Sequence, residues 1–86
     1  MEKMMLDTIR RLVDEQGRLS VAAATIGDEA DLYAAGLTSF AAVQLMLALE
    51  ETFDIEFPDR MLNRRSFSSI AAIANCLQEL NSEEAA

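Results

Sequence analysis

The sequence predicts an all-α domain, a four-helix bundle of three long helices and one short one with a long first loop. Three observations lead there. The 86-residue chain is 51% apolar, which at this length supplies one small core and not two. Its apolar residues recur at three- and four-residue steps in three separate stretches. Ala, Leu, Met and Glu are abundant, while β-branched and aromatic side chains are few, so helix is favoured over strand. The net charge of −8 does not imply disorder at so high an apolar fraction.

Met4, Met5, Ile9, Leu12 and Val13 make a helical stripe over residues 2–15. Gln16-Gly17 ends it, with Gly17 placed to take a left-handed C-terminal conformation. Roughly 20 residues without strong periodicity follow, a length that is unusual in a small domain. Val21, Ile26, Leu32, Tyr33 and Leu37 offer apolar anchors to pin that loop to a bundle. A second helix starts at Thr38 or Ser39. Its stripe is Ala42, Leu45, Met46, Leu49 and Phe53, widened by Phe40, Val43 and Leu47. Gln44, Glu50 and Glu51 fall away from that stripe. Pro58 suits the first turn of a short helix over 59–62. A last helix over 66–80 buries Phe67, Ile70, Ile73, Ala74, Leu77 and Leu80. Residues 1–81 therefore form one domain. Residues 82–86 have nothing to pack against and are expected to be a disordered tail.

Several chemistries are excluded. The chain has no histidine, so no imidazole base is available. Its single cysteine, Cys76, forms no intrachain disulfide, and a Cys/His zinc site is ruled out. Cys76 lies one turn from Ile73 and Leu80 and reads as a half-buried structural thiol. Asp54, Glu56 and Asp59 lack the glycine and the closing glutamate of a calcium loop, so no metal site is expected. The apolar run near the start is only Met4-Met5-Leu6, and runs such as 45–49 fall far short of a membrane span. A lone cysteine fits a reducing compartment, and the expected location is the cytoplasm.

The charge is concentrated. Residues 19–59 contain no Lys or Arg and hold eight acids, whereas the rest of the chain holds seven acids and seven bases. Such a field repels phosphates and anionic lipid headgroups, so nucleic acid and membrane are disfavoured as partners. It suits a partner with a basic patch. The plainer reading, a face that serves solubility, stands beside it.

The informative string is Asp31-Leu32-Tyr33-Ala34-Ala35-Gly36-Leu37-Thr38-Ser39-Phe40. Gly36 allows a tight turn and Leu37 anchors it. Thr38 is the expected N-cap, which leaves Ser39 in the first helical turn with its hydroxyl exposed. At these residues the sequence resembles the acyl and peptidyl carrier proteins. Their signature is a Gly, an aliphatic residue, usually Asp, then Ser and an aliphatic residue, opening the second helix of a four-helix bundle. The resemblance extends to Glu50-Glu51, Phe53 and Phe57-Pro58-Asp59, and covers residues 2–80. It implies a carrier domain over 1–81. Ser39 would be modified with 4′-phosphopantetheine by a phosphopantetheinyl transferase that uses coenzyme A, with Thr38 and Phe40 flanking the attachment point. A helix start suits this chemistry, because its unpaired N–H groups and positive dipole end tolerate a phosphodiester anion. The thiol of the arm would carry an acyl group as a thioester, which makes the protein a group carrier and no enzyme.

Two departures narrow the resemblance. Thr38 stands where the family usually has Asp, and Ala41 and Gln44 stand where fatty-acid carriers tend to have acids. The short helix and the segment after it carry Arg60, Arg64 and Arg65, where those carriers are acidic. The strings 31–40, 53–59 and 62–67 look most like the small stand-alone aminoacyl carrier proteins. Those are loaded by amino acid:carrier-protein ligases, truncated relatives of class II aminoacyl-tRNA synthetases. The resemblance implies a monomer that meets its enzymes through Gln44, Glu50, Glu51, Arg64 and Arg65. The alternatives are an acyl carrier of fatty-acid or polyketide-type synthesis with its own acyl-loading enzyme, and an unmodified acidic helical adaptor.

Overall fold

The computed structural model describes residues 3–85, with side-chain surroundings for residues 3–81. The described backbone is helical and contains no strand. Helix α1 (Lys3–Leu12) runs into a wide π turn (Val13–Gly17). A long connection follows, interrupted by a 3-10 turn (Ala23–Thr25). Helix α2 (Ser39–Phe53) comes next, then 3-10 turns at Asp59–Met61 and Arg64–Phe67, then helix α3 (Ile70–Ala85). Of the tail expected at 82–86, only the backbone to Ala85 falls among the described residues. The backbone is helical to Ala85, and Ala86 and the side chains from 82 onward are not described.

The elements meet over one core. Ile9, Val13, Leu32, Leu45, Leu49, Ile70 and Ile73 are fully buried and come from α1, the π turn, the connection, α2 and α3. Every residue expected on the inner face of the last helix, from Phe67 to Leu80, is buried. Among the described residues no polar or charged side chain is buried, so the core makes no demand for internal polar pairing.

Three expectations require correction. The first helix does not end on a left-handed Gly17. Widening of the last turn to π geometry moves the cap by one residue, and Arg18 takes the left-handed conformation at φ 52°. The short helix over 59–62 is replaced by two 3-10 turns. Leu62 leaves helical geometry at φ −86°, ψ 70°, and Asn63 starts a new turn by accepting a hydrogen bond from Ser66 N at 3.0 Å. Last, Phe40, Val43 and Leu47 do not widen the buried stripe of α2; they are 72%, 49% and 50% exposed. On the opposite face Ala41, Ala42, Leu45 and Leu49 are buried in the core, with Met46, Ala48 and Phe53 packed against it.

The long connection is held by main-chain bonds and by one arginine. Leu32 and Leu37 are buried anchors, as expected, whereas Val21 is exposed and Ala23 fills the core in its place. Leu32 N donates to Ser68 O and Ala71 N to Asp28 O, each at 2.8 Å, so the connection is bound to the start of α3. Arg10 reaches from α1 and donates to the carbonyls of Ala23 and Ile26 and to the Asp28 carboxylate. Asp14 Oδ1 accepts from Ala23 N at 2.7 Å. Gly36 closes the turn before α2 at φ 116°, where a Cβ would stand 3.2 Å from Ser20 N. At the other end of α2, Asp54 takes the left-handed cap, a conformation that Asp tolerates better than most residues. Glu50 Oε2 accepts from Phe57 N at 2.8 Å and ties the following segment back onto the helix.

Two stability measurements follow. Arg10→Gln should lower the urea unfolding free energy by about 2 kcal/mol, because carbonyls bonded to a charged donor lose it. It should also reduce amide exchange protection between residues 20 and 32. Glu50→Ala should cost about 1–2 kcal/mol through the lost acceptor. Glu51→Ala, at an exposed position, should stay within about 0.5 kcal/mol.

Candidate functional site

The start of α2 is built by its own residues. Thr38 is extended at φ −92°, ψ 164°, and its Oγ1 accepts from Ala41 N at 3.0 Å. Thr38 O accepts from Ala42 N at 2.8 Å, the first bond of the helix. Thr38 is therefore the N-cap expected from the sequence, and Ser39 is the first helical residue. Its side chain is exposed. The cap satisfies the N–H of Ala41, and helix geometry leaves those of the first two residues without intrahelical partners. No acid lies in the first turn of α2, so nothing on the helix offsets its positive dipole end.

Ser39 opens onto a groove of about 510 Å³. Ala42, Val43 and Met46 form the wall on α2, and Leu62, Asn63, Arg64 and Phe67 form the opposite wall. Phe67 is set by an edge-to-face contact with Phe57, with ring centroids 5.4 Å apart and planes at 68°. Tyr33 closes one end. The Arg64 guanidinium stacks over its ring at 3.9 Å from the centroid. Asp31 Oδ1 accepts from Tyr33 N at 2.9 Å and from Ala34 N at 3.4 Å, which fixes the turn that carries the tyrosine. Burial pushes the Tyr33 phenol above its ordinary value of 10.0; Arg64 opposes the shift and Asp31 adds to it.

The residues singled out from the sequence divide into two sets. Ser39 and Arg64 line the same groove. Gln44, Glu51 and Arg65 are exposed at other places on the surface. Glu50 is half-buried, and its carboxylate holds the Phe57 N–H, so it braces the segment after α2. Sequence reasoning missed the outward face of α2, where Phe40, Val43 and Leu47 stand one turn apart, with Leu62 also exposed. The signal was present: α2 is apolar around more of its circumference than a bundle of three helices can cover. Cys76 is half-buried against the core, as expected. No cluster of metal-ligating side chains occurs among the described residues.

A family model described as a phosphopantetheine attachment site matches residues 7–77. The chain belongs to that family. It is also 59% identical over 80 residues to an aminoacyl carrier protein of Agrobacterium fabrum, a match that spans 92% of this chain and 96% of that one. Among solved structures it resembles a carrier protein from Agrobacterium tumefaciens, crystallised with an engineered Bradyrhizobium japonicum glycine:[carrier protein] ligase and ATP. That likeness has a TM-score of 0.85 at 59% identity and covers 87% of this chain and 97% of the other. It also resembles a glycylated carrier protein in complex with the Bradyrhizobium japonicum ligase, with a TM-score of 0.74, 26% identity, and coverage of 86% and 99%.

Membership in the phosphopantetheine attachment family makes this chain a carrier with covalently bound 4′-phosphopantetheine, and not a catalyst. The groove fits the group. It combines an exposed hydroxyl, an uncompensated helix start, a guanidinium and apolar walls, and no carboxylate lines it.

Tyr33 is the sole tyrosine and the chain has no tryptophan, so phenolate absorbance reports this residue alone. Its titration midpoint should lie above 10.0, and Arg64→Gln should move it higher still, since the guanidinium opposes the shift. The neutral phenol is favoured in the folded state. Its contribution to stability should thus be complete below pH 10 and be lost as pH rises through the folded-state value.

Proposed function

We propose that Ser39 bears the arm and that the chain is an aminoacyl carrier, loaded through the arm by a synthetase-like amino acid:carrier-protein ligase. The observation that carries this reading is the exposed Ser39 hydroxyl at the first residue of α2, opening on the groove. The similarity to carriers crystallised with glycine:[carrier protein] ligases supports the choice of cargo class.

The local chemistry assigns each residue a part. Gly36 and Leu37 bring the chain into the helix at a fixed angle, and Thr38 holds the first turn closed. The hydroxyl of Ser39 is the acceptor for the phosphopantetheinyl group of coenzyme A. It has no hydrogen-bonded base beside it, and the chain lacks histidine, so the proton must be removed by the transferase. Once joined, the phosphodiester keeps one negative charge at the positive end of α2, where first-turn N–H groups and the dipole favour it. When bound, the group supplies the thiol that holds the cargo as a thioester. Phe40, Val43 and Leu47, with Gln44 and Glu51 on the same face of α2, form the surface that a transferase or ligase would cover. Arg65, exposed in the turn Arg64–Phe67, would add positive charge to the contact.

We read the turns Asp59–Met61 and Arg64–Phe67 together as the short helix of the carrier-family bundle, with residues 1–81 as the carrier domain and 82–86 as its tail. No described helix is long and apolar enough to cross a membrane. We place the action of the chain in the cytoplasm, a compartment in which the lone Cys76 thiol stays reduced.

The test uses intact mass after incubation with coenzyme A and a promiscuous phosphopantetheinyl transferase. Wild type should gain one arm and Ser39→Ala none, with the fold of the variant unchanged. Thr38→Ala should still be modified but lose about 1 kcal/mol of stability as a cap is removed. The holo-protein should then accept a small amino acid from a synthetase-like ligase with ATP. A medium-chain fatty acid offered by an acyl-carrier synthetase should be a poor cargo by at least tenfold in kcat/KM, about 1.4 kcal/mol. Efficient fatty acylation without aminoacylation would return the chain to lipid synthesis.

A further inference from the structure

Arg64 sits in the groove in a way that an ordinary surface arginine does not. Among the described residues, the ion pairs Arg10–Asp28, Arg11–Glu15 and Arg60–Glu79 leave it without a carboxylate. Its guanidinium lies on Tyr33 instead. Stacking uses the faces of the guanidinium and leaves its in-plane N–H donors available. Both supports of the stack are fixed. Asp31 holds the turn of Tyr33 through two backbone N–H groups. Asn63 caps the turn of Arg64, and Asn63 Nδ2 donates to Arg60 O at 3.0 Å. Phe67, in the same turn, is buried against Phe57.

The charge around this donor set is one-sided. The groove lining contains one cation, Arg64, and no anion, in a chain of net charge −8. Asp31, the carboxylate whose charge acts on the Tyr33 phenol, is engaged by two backbone N–H groups. Ser39 is on the facing wall, where a phosphodiester would introduce a single negative charge.

We propose that Arg64, aligned by its stack on Tyr33, is the positioning residue for the phosphodiester on Ser39, pairing with it across the groove and setting the direction in which the arm leaves the helix. This rests on the reading of Ser39 as the attachment point. A lysine would keep the charge, but it would lose the planar stack that aims the donors. The pair is exposed, so it weakens with salt as the screening length shortens from about 30 Å at 0.01 M to about 3 Å at 1 M.

The experiment compares apo and holo forms of the full chain, with intact mass establishing first that one arm is present. Side-chain 1H–15N spectra then follow the Arg64 Nε–H, identified by its loss in Arg64→Gln, and 31P spectra follow the phosphodiester. At low salt the Arg64 signal should shift on conversion to holo and return toward its apo position as salt is raised. The 31P resonance should move in Arg64→Gln and Tyr33→Leu and hold in Tyr33→Phe and Arg65→Gln. If wild type takes no arm, the carrier reading falls and this inference with it. An arm in place with an Arg64 signal identical in both forms overturns the inference alone. So does weaker ligase binding by Arg64→Gln with an unmoved 31P resonance, which assigns the arginine to the partner.

Discussion

The bond from Leu32 N to the Ser68 carbonyl joins the two halves of the site. One half belongs to the long connection, which must deliver Tyr33, the Gly36 turn and the Thr38 cap in the right order. The other half belongs to the segment before α3, which presents Arg64 and Phe67. Neither is regular secondary structure that would hold its shape alone. Leu32, fully buried, fixes the first to the core, and its N–H fixes the first to the second. Tyr33 follows Leu32 directly, so the stack on Arg64 is a consequence of that same contact. Arg10 of α1 and Asp14 of the π turn secure the earlier part of the connection.

Charge and apolar surface are distributed to match. The acids of residues 19–59 leave the groove itself free of carboxylate, and the first turn of α2 carries none. The acids of that stretch thus lie outside the groove and off the helix start that carries Ser39. The outward face of α2 offers Phe40, Val43 and Leu47 to solvent, an apolar stripe that a monomer has no structural reason to keep exposed. Acids around an apolar stripe favour encounter by charge and adhesion by burial.

Much of this was legible in the sequence. Period and capping chemistry located the start of α2 within a residue, and Thr38 caps it as its hydroxyl and position suggested. The apolar residues expected on the last helix are all buried, but α3 starts at Ile70 and not Ser66, and Phe67 belongs to the 3-10 turn before it. What could not be read depended on three-dimensional competition. A π turn shifts a cap by one position and leaves no mark in composition, so Arg18 and not Gly17 is left-handed. Pro58 announced a helical turn, but the break at Leu62 arises from the need to bury both Met61 and Phe67 in a short span. Glu50 looked like a surface acid because helical periodicity places it off the apolar stripe. Its engagement by Phe57 N is set by how the chain folds back after Asp54, which periodicity does not encode. The groove was invisible for the same reason: its walls, Ala42 to Met46 and Leu62 to Phe67, belong to separate segments of the chain that folding brings together.

The lining of that groove also governs how long a cargo survives. A thioester folded back over its own carrier would meet aliphatic carbons, a thioether, an amide, a guanidinium and a phenol held in its neutral form. None of these is a competent base or nucleophile near neutral pH. If Ser39 bears the arm as proposed, its oxygen would be esterified and would carry neither a proton nor nucleophilic reactivity. The groove therefore adds no base or nucleophile to the slow attack of water on a thioester cargo, whose lifetime there would be set by solvent and by the enzyme that collects it.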